Sequence, residues 1–259
     1  LAPAAMLLSA ALGLPTWATA IGPNVLPIGG KVISGQAQIS QSGSQMSINQ
    51  ASQKAILEWK DFDIGNQASV NFQQPNASAI ALNRVIASNV SEIYGKLSAN
   101  GQVWLIDPSG VLFGRGSQVN VGALVTSTLD TSNSDFLKGK AVFTRSSAAQ
   151  GGITNQGTIT AKGNGQGGGL VALLAPSVKN EGIIRAQFGN VVLAAGDKVT
   201  MQAGANGLLQ VALEPSTVKT LIENRQLIVA DGGQVLMTGR AADALSASVV
   251  ANSGTVQAR

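Results

Sequence analysis

The sequence has 259 residues and is 44% hydrophobic, enough chain and apolar surface for one large domain or two ordinary ones. Charged residues make up only 12% and glycine reaches 31, which excludes helical bundles and charged disordered tails and favours an all-β chain. With no histidine, no cysteine and a net charge of +4 spread thinly, the common general base, most zinc sites, disulfides and an aromatic-basic nucleic-acid platform all drop out.

Residues 1–20, LAPAAMLLSAALGLPTWATA, carry a short apolar run from Ala4 to Leu14 and then Ala18-Thr19-Ala20, a small-x-small pattern. The run is too short to span a bilayer, so it reads as a secretory signal truncated of its charged start rather than as a buried apolar strand. The mature chain then starts near Ile21 and enters a periplasm.

From Val32 to Phe72 the stretches KVISGQAQIS, SQMSINQ and SVNFQQ alternate with period two between Gly, Ser and Asn, and KAILEWKDFDIG brings a packed Trp59 and Phe62. This region, about residues 21–72, is expected to form an amino-terminal cap, with stacked coils over 73–259. Further on, Asp107-Pro108-Ser109-Gly110 interrupts the most apolar part of the chain, and alternation resumes at Val119 and Val121. Such an interruption is a tight turn at a corner between two strands.

The carboxy-terminal half repeats itself. ITNQGTITA from Ile153, VKNEGIIRA from Val178 and VANSGTVQA from Val250 are nearly superposable, and GGLVALLA, GNVVLAAG and GGQVLMTG form a second series. Gly157 and Gly182 lie 25 residues apart, and the same step reaches Gly207 and Gly232, with Gly254 after a further 22. Strand, Asn-x-Gly turn and strand at a near-constant spacing predict a right-handed parallel β-helix, with Gly157, Gly182 and Gly254 as solenoid turn glycines supplying positive φ. Coils stacked about 4.8 Å apart would pair each strand with its equivalents, bury alternate Ile, Val, Leu and Ala, and let Asn amides ladder along the axis. The segment from Glu214 to Gly233 breaks the rhythm and is expected to leave the coil as a helix or hairpin.

Other motifs carry less. Gly163, Gly165 and Gly168 spell G-x-G-x-x-G, but LVALLAPSV follows, a strand running to a proline where a dinucleotide site needs a helix. Among the acids, Asp61, Asp63, Asp107, Asp130, Asp135, Glu181, Asp197, Glu214, Glu223, Asp231 and Asp243 are mostly singletons in turns or beside glycine. Turn formation explains them better than a polysaccharide-cleaving pair, so neither an enzyme, a cofactor nor a metal is expected.

The ordered series ALNRV, SEIYG, ANGQVWLI, DPSG and VNVGALV within residues 66–130 resembles the two-partner secretion domain of filamentous-haemagglutinin-type exoproteins, the haemagglutination activity domain. The resemblance extends from about residue 21 through at least residue 145. It implies a β-helical secretion domain recognised by a cognate outer-membrane transporter with periplasmic POTRA domains, in a Gram-negative bacterium that sends the exoprotein to its surface or the medium. The two turn motifs of that family fall on Gln74-Pro75-Asn76-Ala77 and Asp107-Pro108-Ser109-Gly110. Both depart from the family's N-P-N-L and N-P-N-G while keeping the proline that fixes φ, and the second keeps its closing glycine. The same resemblance implies a monomeric domain whose host receptor or glycan, if any, is met by a missing downstream part. An adhesive solenoid standing alone is the rival reading.

Overall fold

The computed structural model describes residues 21–146, 151–163, 167–203, 209–241 and 248–258. The signal read at residues 1–20, Gly165 and Gly207 lie outside them. Strands repeat in a fixed cycle over three faces, and each pairs with its equivalents one coil before and after.

The first face stacks Lys54–Trp59, Ile80–Val85, Gln102–Ile106, Ala123–Ser127, Leu170–Leu174, Asn190–Ala195 and Val235–Gly239 in parallel. The second stacks Ser91–Ile93, Val111–Phe113, Gly152–Asn155, Ser177–Asn180, Thr220–Asn224 and Ser248–Asn252. On the third lie Gln45–Gln50, Ser69–Gln73, Lys96–Ala99, Gln118–Val121, Thr158–Ala161, Ile183–Gln187, Leu227–Asp231 and Thr255–Ala258. The result is the parallel β-helix that the repeats require. Two antiparallel strands close its amino-terminal end: Lys31–Ser34 on Lys54–Trp59, and Ala37–Ser42 on Gln45–Gln50. Parallel stacking begins with the strands at Gln45 and Lys54.

Inward residues of all three faces fill one continuous core, in which Val70, Leu97, Val119, Ile159, Ile184 and Ile228 follow one another up the third face. Trp59 and Phe62 anchor its amino-terminal end edge to face, ring centroids 5.4 Å apart. A second cluster lies outside the first face. There Ile56, Leu82, Trp104, Val125, Ala172 and Val192 are covered by Phe136, Phe143, Val199 and Met201. The cover consists of a short helix, Asn133–Leu137, a strand, Ala141–Thr144, and a hairpin of Lys198–Ala203 with Leu209–Glu214. A sheet buried on both sides needs unbroken apolar strands rather than alternating ones, which accounts for LVALL and VVLAA.

Polar anchors hold the cover down. Ser132 caps the helix by accepting from the Asp135 backbone N–H at 3.0 Å. At the other end Lys54 Nζ donates to the Phe136 and Leu137 carbonyls at 3.1 and 2.8 Å. Arg84 grips Asp130 at 2.9 Å and donates to the Thr131 carbonyl, and Arg145 grips Asp197 at 2.6 Å. Burial alone would raise the Asp197 pKa, but Arg145 and the Thr217 and Ser216 donors outweigh it and hold this carboxyl well below the usual range.

Three expectations are corrected. The segment from Glu214 to Gly233 is no excursion, because Thr220–Asn224 and Leu227–Asp231 are in-register coil strands. The excursion is the hairpin just before it. That insertion stretches the step between equivalent positions from 25 residues (Asn155 to Asn180) to 44 (Asn180 to Asn224), followed by 28 to Asn252. Gly232 therefore does not continue the series of Gly157 and Gly182; Gln226 occupies that place, opposite Gly254. Nor are Gly157, Gly182 and Gly254 among the positive-φ glycines. They are small because coils touch: a Cβ would collide with the Ser117 Oγ, the Gly157 carbonyl or the Gln226 carbonyl, respectively.

The asparagines beside these turns form a ladder. Asn155 Nδ2 donates to Asn180 Oδ1 at 2.8 Å, Asn180 to Asn224 at 2.7 Å and Asn224 to Asn252 at 2.7 Å. Replacing Asn180 by Ala strands both neighbours in a buried corner, so Asn180→Ala is expected to cost about 2–4 kcal/mol in denaturant unfolding. The outward Lys179→Ala, one position away, should change stability by no more than about 0.5 kcal/mol.

Candidate functional site

The two proline turns occupy different corners of the prism. Gln74-Pro75-Asn76-Ala77 leads from the third face to the first, between Ser69–Gln73 and Ile80–Val85. Asp107-Pro108-Ser109-Gly110 leads from the first face to the second, between Gln102–Ile106 and Val111–Phe113.

At the first corner the Gln74 side chain is buried and works as a plug between coils. Its Nε2 donates to Gln50 Oε1 at 3.1 Å in the coil before, to the Ala79 carbonyl at 3.1 Å and to the Gln102 carbonyl at 3.2 Å in the coil after. Its Oε1 accepts from the Gly101 N–H at 3.1 Å. The Gln74 backbone is gripped as well: its N–H donates to Asn100 Oδ1 at 2.7 Å and its carbonyl accepts from Asn100 Nδ2 at 2.8 Å. Pro75 and Asn76 face solvent, Asn76 pairing with Gln53 through both amide atoms at 2.8 and 3.1 Å, while Ala77 is half-buried.

At the second corner Asp107 is fully buried. Its Oδ1 accepts from the Ser109 N–H at 2.9 Å, shaping the turn, and its Oδ2 accepts from the Ser91 N–H at 3.0 Å and Ser91 hydroxyl at 2.6 Å, tying the turn to the coil before. The turn closes with the Gly110 N–H donating to the Asp107 carbonyl at 3.1 Å, and Gly110 takes φ +120°, a conformation that L side chains rarely adopt. Pro108 and Ser109 are half-buried.

Acids gather below this corner. Asp63 accepts from the Glu92 N–H at 2.7 Å, and Asp61 accepts from Asn89 Nδ2 at 2.9 Å. Burial pushes Asp63 up to about 6; the Glu92 N–H opposes the shift, and the charges of Asp61, Glu92 and Asp107 add to it. Asp107 is raised by burial too, against the pull of its Ser91 and Ser109 donors.

Most other candidate acids are spent on ion pairs. Asp130 meets Arg84, Asp135 meets Lys140, Asp197 meets Arg145, Glu214 meets Lys198, and Glu181 and Glu223 share Arg225. Asp231 ends a third-face strand, and Asp243 lies outside the described residues. Among the described residues no group of three or more acids could hold a metal ion. The G-x-G-x-x-G leads into the strand Leu170–Leu174, not into a helix. Sequence reasoning missed Ser91 and Asn100, whose partners sit one coil away; only a coil alignment could have brought them together.

These corners belong to a parallel β-helix whose turns are tied coil to coil. The TPS secretion domain family matches residues 24–259, and the chain belongs to it. It is therefore a two-partner secretion domain of the kind that opens large exoproteins of Gram-negative bacteria, a family of secretion domains rather than of enzymes, and one that implies a cognate outer-membrane transporter.

A heme/hemopexin-binding protein of Haemophilus influenzae strain Rd is 35% identical over 218 residues, covering 83% of this chain and 24% of that protein. A second protein of that name from H. influenzae is 46% identical over 101 residues, 39% of this chain and 11% of its own length. The chain thus spans about a quarter or less of these relatives. The crystal structure of the HMW1 secretion domain from H. influenzae superposes with a TM-score of 0.69 at 25% identity, covering 89% of this chain and 64% of that one.

The Asp63 shift makes stability depend on pH. Its folded pKa, near 6, lies above the ordinary 3.8, so the folded state holds the extra proton and stability falls as pH rises from about 4 to about 6. Asp63→Asn keeps the acceptor for the Glu92 N–H and removes the charge. The variant should lose that slope in pH-resolved unfolding and gain about 1 kcal/mol at neutral pH, allowing for the screening of a half-exposed group.

Proposed function

We propose that this domain is the part of a longer exoprotein that the transporter's periplasmic POTRA domains engage before the coils form, and that it folds outside the outer membrane as a monomer. The burial of Gln74 and Asp107 carries this reading. In the folded corners both side chains face protein, so a partner that reads them must meet the chain unfolded. Each coil laid down outside then buries apolar surface at about 25 cal/mol per Å², a bias toward outward movement that needs no nucleotide.

Any haem or hemopexin binding, the property for which the relatives are named, we assign to the downstream part of the exoprotein. The chain spans about a quarter or less of those relatives, so most of each named protein lies outside the part it resembles. We assign host receptors and glycans to that downstream part as well.

Co-expression with its transporter, scored by the fraction of chain reaching the medium, tests the proposal. Val121→Pro removes a ladder donor from the third-face strand Gln118–Val121, at a cost of about 3 kcal/mol or more, and is expected to depress export strongly. Undiminished export would refute folding-driven transit. Paired substitution of the exposed Pro75 and Asn76 by Ala should leave the unfolding midpoint within about 1 kcal/mol of the parent while lowering export. Normal export of that variant would remove Pro75 and Asn76 from recognition.

A further inference from the structure

We infer that Asn100-Gly101 is a deamidation site that is open in the unfolded chain and closed by folding, so that the Gln74 corner is sensitive to how long the chain stays unfolded. The inference stands on the corner geometry and is independent of the transporter. Asn followed by Gly is the dipeptide most prone to this reaction, because glycine leaves the following backbone nitrogen unhindered. That nitrogen attacks the Asn side-chain carbonyl carbon, ammonia leaves, and water opens the resulting succinimide to aspartate or isoaspartate. Only water is needed as co-reactant.

Folding blocks each requirement. The attacking Gly101 N–H is buried and donates to Gln74 Oε1 at 3.1 Å. The Asn100 carboxamide is fixed at both ends, its Oδ1 accepting from Gln74 N–H at 2.7 Å and its Nδ2 donating to the Gln74 carbonyl at 2.8 Å. Ring closure requires that carboxamide to rotate onto Gly101 N, which breaks all three bonds together. Losing three hydrogen bonds at once keeps the open fraction in the folded state well below about one in ten.

The product does not fit the corner. Aspartate places an oxygen where Nδ2 donated, so two acceptors face each other across the Gln74 carbonyl. Isoaspartate adds a backbone atom just before Gly101, whose carbonyl accepts from the Gly122 N–H at 2.7 Å in the next coil. No side chain can make room, because a Cβ on Gly101 would lie 2.6 Å from Gln74 Oε1 and 2.7 Å from the Ala79 carbonyl. Damage acquired while unfolded therefore weakens the corner that carries the first turn motif.

The test is peptide mapping of the whole chain after incubation in mildly alkaline buffer, folded or in guanidinium chloride, with aspartate and isoaspartate at position 100 quantified by mass spectrometry. Asn164-Gly165 and Asn206-Gly207, measured in the denatured sample, set the intrinsic rate of the same dipeptide. Asn100 should convert at a comparable rate when denatured and at least about tenfold more slowly when folded. Equal rates in the two states would overturn the inference. Asn100→Asp, refolded beside the parent, should show a lower denaturation midpoint or fail to refold; a midpoint equal to the parent's would overturn the claim that the lesion weakens the corner.

Discussion

The structure depends on every coil presenting, at a given height, a group that can bond to its own copy in the next coil. Hydrophobic side chains meet this condition without orientation, which is why the interior accepts Val, Leu, Ile and Ala interchangeably along one column. Polar corners are more selective. A carboxamide carries donor and acceptor on one planar group, so it can stack on itself without limit, whereas a carboxylate facing its copy repels it. The ladder from Asn155 to Asn252 and the Gln50 to Gln74 contact are two uses of that property. Where an acid does occupy a buried corner, as Asp107 does, it bonds to a serine in the neighbouring coil, and burial raises its proton affinity.

The first face has a second demand. Its outward residues are apolar, so the prism could not stand alone in water with that face bare. The helix, the strand Ala141–Thr144 and the hairpin cover it, and Trp104 lies against Phe136 and Phe143 with ring centroids 5.4 and 5.3 Å away. Arg84, Lys54 and Arg145 bind the cover by contacts with backbone carbonyls and carboxylates, fixing where it sits. The solenoid and its cover are thus one cooperative body along this side.

Much of the architecture is legible in the sequence because repetition along the chain becomes register in space: Ile153 pairs with Val178, and Ile222 stands between Val178 and Val250 in the same column. The coil through Ile222 is hidden from sequence reasoning because Gln226 replaces the expected glycine and an inserted hairpin displaces it. A local pattern cannot distinguish a coil strand after an insertion from the insertion itself. The role of the turn glycines escapes for a related reason, since the close approach of another coil leaves no mark in the glycine's own neighbourhood. At the corners, proline and glycine announce the turns, but the partners of Gln74 and Asp107 sit in other coils, at separations set by loop lengths.

The antiparallel strands at Lys31–Ser34 and Ala37–Ser42 make the pile one-ended. Their direction is opposite to that of the strands they cover, so this end carries antiparallel pairs where the later coils stack in parallel. The strand Ala141–Thr144 has its partner, Lys198–Ala203, two coils later. Covering the outer apolar side of the first face therefore joins segments that lie far apart along the chain.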